Sequence, residues 1–132
     1  RIRRLSEPLI KKHRLRWVGP YRPSELRSRM GGADWVLVPS IWWENSPMVI
    51  QEAFVCGRPV ISSDIGGMAD KVTHGVDGIH VRAGDALHWG KTLYDAATTA
   101  GLWERLRAGI KRPITIAECA DAHLEAFPGL SP

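Results

Sequence analysis

No run of apolar residues in this chain approaches the roughly 20 needed to cross a bilayer as a helix, and no segment has the layout of a signal peptide. A soluble, cytoplasmic protein is the expectation. Cysteine is scarce. Cys56 and Cys119 are the only two among 132 residues, they stand far apart on segments expected to be helical, and neither has a second cysteine at metal-ligand spacing. Buried, reduced thiols are the expected state. His13, His74, His80, His88 and His123 show neither ligand spacing nor a base-and-nucleophile arrangement, so each reads as a surface or packing residue. Repeats, low-complexity tracts and domain linkers are missing as well. With 44% hydrophobic residues, the chain reads as a single domain over residues 1–132, able to bury about two thirds of its unfolded surface.

Charge is present but unevenly placed. Residues 1–29 carry ten Lys/Arg against two Glu, whereas residues 30–132 carry eight against twelve, so the basic excess behind the net charge of +4 lies entirely in the first segment. The stretch RIRRLSEPLIKKHRLRW reads as a solvated helix face, with peripheral contact to a membrane surface or another anionic surface as a second reading. Nucleic acid is not expected as a partner: no aromatic is interleaved before Trp17 and no nucleic-acid-binding motif occurs.

Short β-branched or aromatic runs at residues 15–18, 34–38, 59–63 and 78–81 alternate with stretches of helical pattern or turn residues. That order predicts β/α units around a parallel sheet, with four strands in a small doubly wound arrangement. Helix starts are marked by Pro23, by Ser46 as N-cap with Pro47 in the first turn, and by Asp85. Thr115 and Glu118 have capping-box spacing ahead of a last helix with apolar Ile116, Ala120 and Leu124. The chain has no initiator methionine and opens on what reads as the tail of a helix, so the expectation is a piece of something larger.

One residue resists this pattern. Glu52 sits about one and a half turns into the helix expected after Ser46, with Met48, Val49, Val55 and Cys56 three and four residues away. A helix this apolar is expected to be covered on both sides, and an ionised carboxylate there is costly unless partnered. An arginine, backbone amides or water would serve. So would a vicinal diol such as ribose, because a carboxylate is acceptor-only and takes one hydrogen bond from each hydroxyl. Glu44 lies just upstream, in a loop at the carboxyl end of a parallel strand, where open α/β sheets place their ligands. The first-turn amides of Met48 and Val49 face the same way and favour phosphate. An acceptor for sugar hydroxyls, donors for phosphate and a carboxylate for ribose together suit a nucleotide-sugar.

The segment PSIWWENSPMVIQEAFVCGRPVISSDIGGMADKVTHGVDGIHV resembles the donor-binding domain of retaining GT-B glycosyltransferases, the glycosyl transferases group 1 family. Glu44 and Glu52 bracket seven residues, as in that family's E-x7-E motif, and PS at 39–40, EAFVCGRPVI at 52–61 and GG at 66–67 also match, with WVGPY at 17–21 and GGADWVLVPS at 31–40 fitting earlier strands. The resemblance is close over residues 15–82 and looser beyond.

The resemblance implies a Rossmann-like doubly wound parallel sheet, the C-terminal half of a GT-B fold, truncated at its N-terminus and without the acceptor domain. It implies a hexosyltransferase of carbohydrate biosynthesis that retains anomeric configuration and needs no cofactor or metal, the nucleotide-diphosphate sugar being the donor substrate. Glu44 becomes the catalytic-site residue touching the donor sugar, Glu52 the ribose ligand, and Asn45, Ser46, Met48 and Val49 the contacts to sugar and diphosphate, with Tyr21 near the base. Its partners are a carbohydrate or lipid-linked acceptor and the N-terminal GT-B domain, and the fragment alone is expected to be inactive and to self-associate. Basic residues that neutralise the diphosphate belong to a strand and loop before Arg1. No two aspartates stand two apart, so the D-x-D pair of metal-dependent sugar transferases is missing. Asp70 stands where the family usually has glutamate, and Pro47 where it often has glycine. A GT-B epimerase or phosphorylase, or a nucleotide-sugar-binding module without turnover, are the alternatives. Gly66 and Gly67 read as a turn that can also approach the ligand, and Trp42 and Trp43 either stack on a sugar or base or pack under their loop.

Overall fold

The computed structural model describes residues 2–127. Three parallel strands, β1 (Val36–Val38), β2 (Val60–Ser63) and β3 (Gly78–Val81), pair in the order β1-β2-β3. The register aligns Val38 with Ser62 and Ser62 with His80. Each crossover carries a helix: α3 (Met48–Val55) joins β1 to β2 and α4 (Gly66–Lys71) joins β2 to β3. Ahead of the sheet lie α1 (Ile2–Lys11), a 3-10 turn (Pro23–Glu25) and α2 (Leu26–Gly31); after it come α5 (Ala86–Thr98), α6 (Leu102–Gly109) and α7 (Ile116–Ala126).

Alternation along the strands sends side chains to two cores. Val38 and Val60 face Ile50, Ala53 and Phe54 of α3 and Met68 of α4, with Val72 closing that side. Ile61 and Val81 face the opposite way, against Ala96 of α5 with Trp35, Ile79 and Trp89 at the margin. All four residues of β2 are buried, as expected of the central strand. Helices on both faces make this the doubly wound α/β arrangement.

Local chemistry explains most boundaries. Asp85 accepts a hydrogen bond from the His88 amide (2.9 Å) and starts α5, and Thr115 and Glu118 form the reciprocal capping box of α7. The C-terminus of α3 closes in a Schellman arrangement: Gly57, at φ +63, donates to the Phe54 carbonyl while the Arg58 amide reaches that of Ala53.

Three expectations are corrected. Residues 15–18 form no strand, leaving three strands instead of four among the described residues. Pairing needs a neighbouring backbone, whereas Trp17 is drawn to α1, donating through its indole N–H to the Ser6 hydroxyl (3.3 Å) under the Arg3 guanidinium. Gly19 at φ +76, followed by Pro20, then turns the chain away. Ser46 does not cap α3. Pro47 is the N-cap residue, in extended conformation, and no side chain caps that end. Finally, Cys56 and Cys119 are half-buried free thiols rather than buried ones.

No described helix is long and apolar enough to cross a membrane. On α1, Ile2, Leu5 and Leu9 are exposed beside its basic residues, and α7 buries none of its side chains.

Candidate functional site

The loop over residues 39–47 leaves the carboxyl end of β1 and contains Glu44, Asn45 and Ser46, all exposed. It has no regular structure, yet it is held closely. The Gly67 amide donates to the Glu44 carbonyl at 2.7 Å. A methyl group on Gly67 would stand 2.0 Å from the Asn45 carbonyl oxygen, and one on Gly66 would stand 2.9 Å from that of Glu44 and 3.3 Å from the Trp43 ring. The paired glycines therefore let the start of α4 press directly on the Glu44–Asn45 backbone. The sequence reads those glycines as a turn; they instead open α4, and the close approach they permit is to the Glu44–Asn45 backbone.

Ser40, inside the PS block, touches the candidate loop as well. Its hydroxyl accepts from the Trp42 amide (3.3 Å) and lies 3.4 Å from both the Glu44 Oε1 and the Trp42 carbonyl, so its single proton serves one of those two acceptors at a time. The Glu44 carboxylate is otherwise open to solvent. Nearby, the Asp64 carboxylate at the end of β2 accepts from the Ala83 amide (3.0 Å), fixing the neighbouring turn.

Glu52 is half-buried, not sealed. The helix α3 is covered on one face by the sheet, through Ile50, Ala53 and Phe54, while Met48 is 73% exposed and Val55 is also open. The second covering layer expected from its apolar sequence is thus incomplete. Glu52 lines a groove of about 270 Å³ with Leu26, Met48, Gln51, Val55, Pro113 and Ile114. Among the described residues no Lys, Arg or His lies within ion-pair distance of it, so the arginine-paired reading finds no partner. The absent side-chain cap leaves the amides of Met48 and Val49 in the first turn of α3, where a helix has no carbonyl of its own to offer them.

Tyr21 stands apart. Its ring is half exposed under the Arg29 guanidinium (5.9 Å to the ring centre) and lines a different groove, with Val18, Gly19, Met30, Val36 and Leu37. Leu26 borders both grooves. The structure thus joins Met48 and Glu52 on one wall and Glu44 and Asn45 on one braced loop, while Tyr21 and Glu44 are not among the walls of the Glu52 groove.

Shifted carboxyl groups lie outside these residues. The Arg22 amide and then Arg29 hold Glu25 below its ordinary range, the His88 amide does the same for Asp85, and burial pushes Asp77 up. Asp77 accepts from the Thr73 amide at 2.7 Å and so shapes the turn into β3, a structural use.

A family model described as Glycosyl transferases group 1 matches residues 1–98. The chain is 37% identical over 98 residues to the D-inositol 3-phosphate glycosyltransferase of Jonesia denitrificans and 33% identical over 98 residues to that of Salinispora arenicola, in each case covering 74% of this chain. It spans about a quarter of the length of these relatives, 23% and 22%. Among solved structures it is similar to Anabaena HepE in complex with UDP, at 23% identity and a TM-score of 0.74 over 98% of this chain and 37% of that one. A likeness of the same TM-score and coverage of this chain, at 27% identity, holds with sucrose-phosphate synthase from Thermosynechococcus elongatus, of which 33% is covered. The fold is accordingly α/β with a parallel sheet, matching part of a GT-B glycosyltransferase, as the resemblance implied.

Proposed function

This chain belongs to the glycosyl transferases group 1 family, and on that premise we propose that it is the donor-binding part of a retaining transferase that moves a hexosyl group from a nucleoside-diphosphate sugar. The observation that carries the reading is Glu52: a half-buried carboxylate without a cationic partner among the described residues, one turn from the uncapped start of α3. An unpaired acceptor of this kind is suited to the two hydroxyls of a ribose. The amides of Met48 and Val49 supply donors for the diphosphate, favoured by the helix dipole, with Asn45 and Ser46 beside them in the loop. Glu44 accepts from hydroxyls of the sugar, and Tyr21 borders the base. HepE was solved with UDP and with UDP-glucose, which makes uridine nucleotides the natural first probes.

In that role the chain stabilises the leaving diphosphate rather than supplying a nucleophile. Donors aimed at developing charge, fixed before the reaction begins, are worth more than mobile water. No side chain at the site is an evident covalent catalyst. Cationic groups from outside this segment would complete the neutralisation, so we expect the chain alone to bind nucleotide weakly and to transfer no sugar.

Calorimetry with UDP and UDP-glucose tests the assignment. Glu52→Gln turns one acceptor oxygen into a donor; losing a charged hydrogen-bond partner costs on the order of 1–3 kcal/mol, or roughly five- to a hundredfold in affinity for both ligands. Glu44→Gln should leave UDP binding unchanged and weaken UDP-glucose alone. Equal UDP binding by Glu52→Gln and the parent would make Glu52 structural and sink the reading.

A further inference from the structure

Beside Glu44, three large apolar side chains are left in water on a loop that is otherwise braced: Ile41, Trp42 and Trp43 are 76%, 75% and 73% exposed. Two have neighbours. The Trp43 ring edge faces Gly66, and Ile41 faces Gly84. Trp42 has its backbone fixed by the Ser40 hydroxyl while its indole stays open. Three successive large apolar side chains held in water on one loop cost hydration free energy, and exposed apolar surface concentrated in this way marks a binding surface.

We propose that the Trp42 indole is a platform for an aldopyranose ring, with Glu44 gripping its hydroxyls. The proposal rests on the donor-site reading for its setting but not for its chemistry. A pyranose presents axial C–H bonds on one face and hydroxyls around its rim. The C–H dipoles complement the negative face of an indole, whose large flat surface supplies contact area at small entropic cost. The rim hydroxyls need an acceptor at the platform's edge, and Glu44, two residues on and 3.4 Å from Ser40 Oγ, offers one. The clamp of Gly66 and Gly67 holds the Glu44 backbone and the Ser40 hydroxyl holds that of Trp42, so the loop is positioned before the sugar arrives, which is what a specificity-determining residue requires.

The donor's own sugar and an acceptor sugar share this chemistry, and the test separates them. Indole N–H signals of this chain are followed by NMR during titration with UDP, with UDP-glucose, and with free glucose alone or on top of saturating UDP-glucose; Trp42→Phe identifies the Trp42 signal. A Trp42 shift with UDP-glucose but not UDP assigns the platform to the donor sugar. A shift appearing only when free glucose is added on top of UDP-glucose assigns it to the acceptor. Trp42→Ala should weaken the sugar-dependent step roughly tenfold and leave UDP affinity unchanged, and Trp42→Phe should keep most of it. Sorbitol, which has hydroxyls but no ring face, should leave the signal unmoved. The proposal is overturned if Trp42 does not respond to any sugar, responds equally to sorbitol, or proves dispensable in Trp42→Ala. A chain that ignores UDP yet shifts Trp42 with glucose would sink the donor reading and keep the platform.

Discussion

Gly67 shows how little side chain this site tolerates. Its missing methyl is the space in which the Asn45 carbonyl sits, and its amide is the donor that fixes the Glu44 carbonyl. In Gly67→Ala the new carbon cannot be accommodated by rotating a side chain, because the obstacle is backbone; either α4 or the loop must move. Overpacking of this order costs about 1–3 kcal/mol. Thermal unfolding should register the loss, and UDP-glucose affinity should fall more than UDP affinity, since Glu44 moves while Glu52 does not. A variant with parental stability and unaltered discrimination between the two ligands would show that the loop is not positioned by α4.

At the scale of elements, what was legible in the sequence is what is decided locally. The cap at Asp85 and the box at Thr115 and Glu118 depend on residues three apart, and both are present as read. The Glu118 carboxylate illustrates the strength of such local chemistry: Arg112 and then the Thr115 amide and hydroxyl hold it down at about 2, against an ordinary 4.5. Its folded pKa is depressed, so its support for the start of α7 is complete above about 4.5 and fades as pH falls toward 2. Amide protection over the first turn of α7 should decline across that window, and Arg112→Ala should move the decline to higher pH. Decisions that depend on distant chain were misread. The apolar residues of 15–18 predicted a strand, but no pairing partner meets them, and Trp17 goes to α1 instead. One local decision also departs from the sequence pattern: Ser46 has the right residue type for a cap, yet Pro47 takes the position, shifting the start of α3 by one. The apolar helix of Glu52 predicts cover on two sides; the sheet covers one, and on the other Glu52 meets only an open groove whose far wall, Pro113 and Ile114, comes from sixty residues away. The unpaired edge of β1 can be tested directly. The Val36 amide bonds the Pro59 carbonyl on the β2 side, so by strand alternation the Leu37 amide points to the open edge. Hydrogen exchange should be fast at Leu37 and slow at Val36 and Val38; equal protection at all three would place another backbone against that edge.

The whole molecule leaves apolar surface at both ends of its described length, Ile2, Leu5 and Leu9 on α1 and Ile116 and Leu124 on α7. Neither stripe finds cover among residues 2–127, although a helix with an apolar face is stable only when that face is buried. The isolated chain should therefore self-associate, and the dependence on salt tells how. Arg3, Arg4 and Lys11 lie on α1 with Lys12, Arg14 and Arg16 just after it, so contacts made through α1 bring like charges together. Screening removes that repulsion: the Debye length falls from about 10 Å at 0.1 M to about 3 Å at 1 M ionic strength. Association driven by the apolar stripes should strengthen as sodium chloride rises, whereas association through opposite charges would weaken. Light scattering across a salt series measures the difference, and Leu5→Ser or Ile116→Ser should reduce the associated fraction according to which stripe is used. A chain that stays strictly monomeric at high concentration and high salt would mean that these faces are tolerated in water as they stand.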